Sequence, residues 1–302
     1  MGITNTDIIT ELTAMVMAKS RTVPTDWDYV IRPYRKWFDI DLRALWRYRD
    51  LAFMYVKRNF VTMYKQTILG PLWFLVQPVM TIAVYMFIFG GLAGISTAGI
   101  PQPLFYMAGI LLWNYFLDCF NASSNVFVSN AHVFGKVYFP RLIVPISGLM
   151  SGLVKMSVQL LLFVCIYIWC SLSNDDFSVN WVLLLFPVLV AMIAFYGLAW
   201  GLLISSLTYK YRDLQILIGF VIQLLMYATP VVYPLDTLPG KYRLLVALNP
   251  LTAIFETFKH GCFGAGTLDW IGLLYSSVVL GVMLLGAVLV FNRVERNFMD
   301  CV

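Results

Sequence analysis

Two stretches without a single Asp, Glu, Lys or Arg, residues 66–117 and 177–209, set the terms on which this chain can fold. Each is longer than the ~20 residues a helix needs to cross the hydrocarbon core of a bilayer. Inside that core no water reaches backbone N–H and C=O groups, and a helix satisfies them within one segment. Charge is scarce throughout, at 12% of 302 residues, where an ordinary soluble domain uses roughly 25%. The chain is therefore expected to be an all-α polytopic membrane protein.

Residues 1–40 are polar and interrupted by Pro24 and Pro33, and are expected to form a cytoplasmic extension ahead of a transmembrane domain over 41–302. Met1 to Thr6 fit the myristoylation pattern, which we read as a chance match in a chain with its own spans. Over 41–65, Leu42, Leu45, Trp46, Phe53, Val56, Phe60 and Met63 recur at helical spacing, with Arg43, Arg47, Lys57 and Arg58 on other faces. That pattern predicts a basic amphipathic helix lying in the membrane interface. Six spans are predicted, at about 72–93, 104–128, 142–172, 181–207, 214–232 and 270–291. Residues 233–269 are apolar but broken by Pro234, Pro239, Gly240 and Pro250, and are expected to form short helices on or dipping into the surface.

Lys and Arg counts orient the spans. With the N-terminus inside, 17 fall on the inner side and 3 (Lys241, Arg243 and Lys259) on the outer, while Lys155 lies within a span. Both termini are thus expected to be cytoplasmic. The net charge of +5 reflects this topology and anionic lipid headgroups, not nucleic acid.

Catalysis finds no foothold in the sequence. Gly135-Lys136 and Gly240-Lys241 lack the flanking residues of a phosphate loop. His132 and His260 have no partner at metal-ligand spacing. Cys119, Cys165, Cys170, Cys262 and Cys301 form no CxxC pair and read as small apolar fillers. We therefore expect no catalytic residue, no metal and no cofactor in this chain.

Polar stripes inside the spans carry more information, because polar side chains facing lipid are costly. Asn114, Asp118, Asn121 and Asn125 share one face of the second span, and Ser147, Ser151, Lys155 and Gln159 one face of the third. These stripes either join helices, with Asp118 and Lys155 as a charge pair, or line a pathway. Trp73, Gln77, Thr81 and Tyr85 form a stripe on the first span. Aromatic rings suit the apolar C–H faces of sugars, and amides and hydroxyls suit their OH groups, so this stripe is read as a substrate channel. Phe89 and Trp113 are added to it, although aromatics at helical spacing are also ordinary packing. Residues 134–141 and 209–213 make short basic-aromatic loops, either interfacial anchors or docking contacts for a separate cytosolic motor.

Several segments together resemble the membrane subunits of bacterial ABC-2 polysaccharide exporters, which move O-antigen, capsule or teichoic acid chains. They are Tyr64 to Trp73 with Gln77-Pro78, Lys136 to Arg141, Tyr211-Arg212-Asp213, Ala228 to Pro234, and Leu248 to Leu251. The resemblance runs over about 45–295. It implies a homodimer with two cytosolic ATPase subunits, which bind the ATP and Mg. It implies ATPase coupling through 134–141 (Lys136, Tyr138, Phe139 and Arg141) and through 209–213 (Tyr211, Arg212 and Asp213). Residues 41–64 would be the interfacial helix and 236–263 outer gate helices, with the first and fifth spans lining the pore. Two features depart from the family pattern: the first 40 residues extend beyond it, and Lys155 stands where relatives carry an acidic residue.

The expected function is export of a polyprenyl-diphosphate-linked glycan, O-antigen first among them, across the bacterial inner membrane. Lys57, Arg58 and Lys65 are the expected lipid-diphosphate contacts, though positive-inside anchoring explains them equally. One alternative is an ABC-2 exporter of small hydrophobic molecules or drugs. Another is a stand-alone secondary transporter, which predicts inverted repeats and an intramembrane ion site.

Overall fold

The computed structural model describes residues 42–65, 67–134, 139–173, 180–208, 213–264 and 268–298. Regular structure in them is helical: α1 (Leu42–Arg47), α2 (Arg49–Tyr64), α3 (Trp73–Tyr85), α4 (Gln102–Ser124), α5 (Val126–Phe134) and α6 (Ile143–Ser173) come first. α7 (Phe186–Thr208), α8 (Leu214–Tyr227), α9 (Gly240–Ala247), α10 (Pro250–Phe263) and α11 (Trp270–Phe298) follow. A 3-10 turn at Gly70–Leu72 leads into α3, and a π-helical run at Met86–Leu92 continues it.

Among the described residues, five helices are long and apolar enough to cross a membrane: Gly70–Leu92, Gln102–Ser124, Ile143–Leu172, Trp181–Thr208 and Trp270–Val294. The chain is a polytopic helical membrane protein. α8, where a fifth of six spans was expected over 214–232, has 14 residues. That is about 21 Å of helix, short of the ~30 Å hydrocarbon core. Its end has a local cause: Pro230 has no N–H to offer the Met226 carbonyl. Val231 and Val232 instead belong to a buried turn.

The second span is also interrupted. α4 stops at Ser124, and α5 begins after Asn125. The Asn125 amide donates to the Asn121 carbonyl at 3.1 Å, and Ser124 Oγ donates to the same oxygen at 3.3 Å. Side chains competing for backbone partners loosen a helix at such a point.

α4 is the centre of the bundle, with α6 and α7 against it and α11 behind α7. Small residues make this possible. On α7, Gly197 and Gly201 sit one turn apart and face Cys119 and Ser123 of α4. A methyl on Gly197 would lie 2.6 Å from Cys119 Cβ, and one on Gly201 would overlap Ser123. On α6, a methyl on Gly148 would overlap Ala122. Tyr196 of α7 donates its hydroxyl to the Ser276 carbonyl of α11, closing that side.

The two ends of α4 meet different elements. Its first turn lies under the α9–α10 hairpin, with the Phe105 ring 4.1 Å from the Lys259 ammonium. Its last turn opens toward α2.

Candidate functional site

Few residues of the first span are covered. In α3 only Pro78 and Ile82 are buried, and in α8 only Ile222 is. Along the expected stripe, Trp73 and Gln77 are exposed, while Thr81 and Tyr85 are half-buried. Thr81 Oγ1 donates to the Gln77 carbonyl at 2.9 Å, so its hydroxyl is satisfied within the helix. Tyr85 enters the crevice between α3, α4 and α8. Its hydroxyl lies 3.6 Å from Met226 Sδ, and its ring meets Phe89 and Tyr106 edge-on at 5.4 and 6.1 Å.

The structure thus gathers Trp73, Gln77, Thr81, Tyr85 and Phe89 along one helix. It does not bring Trp113 among them: that ring is 3% exposed and packs on Phe116 at 5.2 Å. One residue was missed in the sequence. Gln223 of α8 is exposed, a second uncovered amide beside Gln77 of α3. The signal was available, since Gln223 lies inside a predicted span, one turn past Gly219.

At the other end of α4, a cleft of about 690 Å³ opens between α2, the Asn125 break and α6. Arg58, Asn59, Thr62, Asn121, Asn125 and His132 contribute to its lining, and among the described residues no carboxylate does. The Arg58 guanidinium lies over the Tyr55 ring at 4.3 Å, an arrangement that holds a cation without neutralising it. Asn59 Nδ2 reaches Ser151 Oγ at 3.5 Å, tying α2 to α6. Gln215 donates to Asn125 Oδ1, tying the start of α8 to the break. Lys57 and Lys65 are exposed nearby in sequence.

Three of the expected coupling residues are described. Phe139 is buried between Tyr55 and Phe134, at 6.2 and 5.7 Å. Arg141 is 5% exposed, its guanidinium 5.3 Å from the Phe134 ring. Asp213 caps α8 by accepting from the Leu214 N–H at 3.0 Å. Lys136, Tyr138, Tyr211 and Arg212 lie outside the described residues. The polar stripes of α4 and α6 meet each other: Lys155 Nζ lies 3.0 Å from Asp118 Oδ1.

The sequence profile of ABC-2 type transporters matches residues 51–263, from α2 through the end of α10. The chain belongs to the ABC-2 type transporter family. The matched stretch of this ABC-2 protein includes the open stripe, the cleft and the α9–α10 hairpin. It is 26% identical over 257 residues to the O-antigen export system permease protein RfbA of Klebsiella pneumoniae, covering 83% of this chain and 94% of that one. Its identity to the RfbA permease of Myxococcus xanthus is 25% over 264 residues, covering 86% and 98%. The inner membrane transport permease YadH of Escherichia coli is 31% identical over 199 residues, covering 63% of this chain and 75% of YadH. An ABC-2 chain similar to the RfbA permeases over nearly their whole length is a membrane transport permease.

Proposed function

We propose that this chain is the membrane-spanning subunit of an ATP-driven exporter that moves a lipid-linked polysaccharide, O-antigen first among the candidates, from the cytoplasm across the inner membrane. One observation carries the reading: Gln77 and Gln223 stand uncovered on α3 and α8, next to Trp73 and Tyr85 on the first of these. An amide facing lipid at that depth is costly, so both helices face a polar pathway, a second copy, or both. Rings alternating with amides suit a sugar chain that must slide, since stacking on C–H faces is tolerant of register. The names of the two RfbA permeases support the same cargo.

In this reading two copies enclose the pathway, α3 and α8 of each forming its wall. The cleft at Arg58 receives the diphosphate of the polyprenyl carrier, with Lys57 and Lys65 holding it near the inner surface. A guanidinium can pair a phosphate through two N–H groups at once. Two cytosolic ATPase subunits bind ATP and Mg and push on 134–141 and 209–213. Phe139 and Arg141, fixed in the bundle, transmit that push to α2 and α6. Both termini face the cytoplasm, with α8 and the buried turn after it together making the sixth crossing.

Vesicles holding this chain with its co-purified ATPase should move a polyprenyl-diphosphate glycan only when ATP is supplied. Movement at full rate by the chain alone would overturn the reading, as would failure of any ATPase to co-purify.

A further inference from the structure

A buried charge pair sits where the α9–α10 hairpin meets the rest of the molecule. Lys259 on α10 is 4% exposed, and its ammonium donates to the Pro230 carbonyl at 2.5 Å. The Phe105 ring of α4 lies 4.1 Å from it, and Glu256 Oε1, one turn back on α10, lies 3.6 Å away. One ammonium therefore touches three elements: α4, the turn after α8, and its own helix. That turn is seated tightly. A methyl on Gly109 of α4 would lie 2.5 Å from the Val231 carbonyl, and Val231 and Val232 are buried. Asn249, capping α10, adds bonds to the Ala228 carbonyl at 3.2 Å and Thr229 Oγ1 at 2.9 Å.

The pair is poorly satisfied for so buried a place. An ammonium has three N–H donors, and Lys259 has one good acceptor. Among the described residues Glu256 Oε1 has no hydrogen-bond partner. Apolar side chains of similar size generally hold such an interface at least as well as an imperfect buried ion pair. What apolar groups lack is the gain on release, when water solvates both charges.

We infer that Lys259 and Glu256 are a positioning pair that makes the hairpin releasable: they register it on α4 and the end of α8, and on opening their solvation offsets the packing given up. The inference rests on the export reading only in taking this hairpin as the outer end of the pathway.

Burial lowers Lys259 from its ordinary 10.5 to about 8, with Glu256 acting against the shift. Glu256 is raised by burial, against the pull of Lys259. Among the described residues, Asp236 and Arg243, paired at 3.1 Å, and the Tyr233 phenol also act on this pair; α10 adds His260 and Cys262, and α4 contributes the Phe105 ring. Because the seated lysine binds its proton less tightly than the released one, the released state holds more protons between pH 8 and 10.5. Raising pH through that window favours the seated hairpin.

Hydrogen exchange reads this in the purified chain with its ATPase in lipid nanodiscs, with α4 as internal reference. Corrected for intrinsic rates, exchange over 228–233 and 256–263 should slow about tenfold from pH 7 to 9. The double variant Glu256→Met/Lys259→Met should exchange more slowly than wild type at pH 7, show no pH dependence, and lose ATP-driven export. Lys259→Arg, which stays charged at all these pH values, should keep export and lose the pH dependence. Export by the double variant at the wild-type rate would overturn the inference, as would exchange in it as fast as in wild type or with the same pH dependence. If wild type itself moves no glycan, the export reading fails, while the exchange arm still judges the pair.

Discussion

Lys155 Nζ of α6 donates to Asp118 Oδ1 of α4 at 3.0 Å, and about a fifth of one side chain and a quarter of the other remain exposed. The polar stripes of the second and third spans are thus joined to each other at this level. Removing one partner of a buried pair costs about 3–5 kcal/mol, whereas replacing both with apolar groups is often neutral. Lys155→Met should lower the unfolding temperature in detergent markedly, and adding Asp118→Leu should restore most of the loss. Equal losses in single and double variants would show that the pair does not hold these helices together.

The contact of Gly201 with Ser123 makes a sharper test of the core. Gly201→Val should destabilise by at least the ~1–3 kcal/mol of ordinary overpacking, because backbone rather than a flexible side chain must give way. Ser123→Gly in the same chain should recover part of it. Thermal unfolding and size-exclusion profiles read both, and an unaltered Gly201→Val protein would show the close approach to be wrong.

Trp73 and Tyr85 lie on the open helix and at its crevice. Each ring contact contributes on the order of 1 kcal/mol, so replacing both with Ala should lower surface glycan roughly thirtyfold, with membrane insertion unchanged. Trp113→Ala should instead lower stability, because that ring is packed inside. Normal surface glycan in the Trp73→Ala/Tyr85→Ala strain would remove those two residues from the pathway.

Asn249 accepts from the Leu251 N–H at 3.1 Å and donates to Ala228 and Thr229. Asn249→Ala should cost about 1–2 kcal/mol as a lost helix cap. Asn249→Asp keeps the cap acceptor but not the donor, so unfolding of the two variants separates the two contributions. An Asn249→Asp protein as stable as wild type would mean that the bonds to 228–229 add nothing.

The membrane spans were legible because charge-free length is a property of sequence alone. Their details were less so. α8 is shorter than its apolar stretch because Pro230 stops it, a cue that was present but outweighed by the apolar residues beyond. The break at Asn125 depends on a side chain turning back to its own helix, which helical spacing does not reveal. For Phe139 and Arg141 the sequence leaves both anchor and docking contact open, and their packing on Tyr55 and Phe134, distant or separated by a loop in the sequence, is visible only in the fold. Gly197 and Gly201 drew no reading from the sequence, and only the fold shows which helix they receive. The aromatic stripe on α3 was visible throughout, whereas its counterpart Gln223 looked like one more residue of an apolar span.

The close contact of α4 with α7 has a mechanical corollary. At Gly197 and Gly201 there is space for a hydrogen atom and nothing larger, so turning either helix by a single residue would drive a side chain into main chain. Those two helices must travel together as a keel. In the proposed export cycle, a stroke from an ATPase partner would fall on the sparsely buried rods, α3 and α8, swinging against that keel.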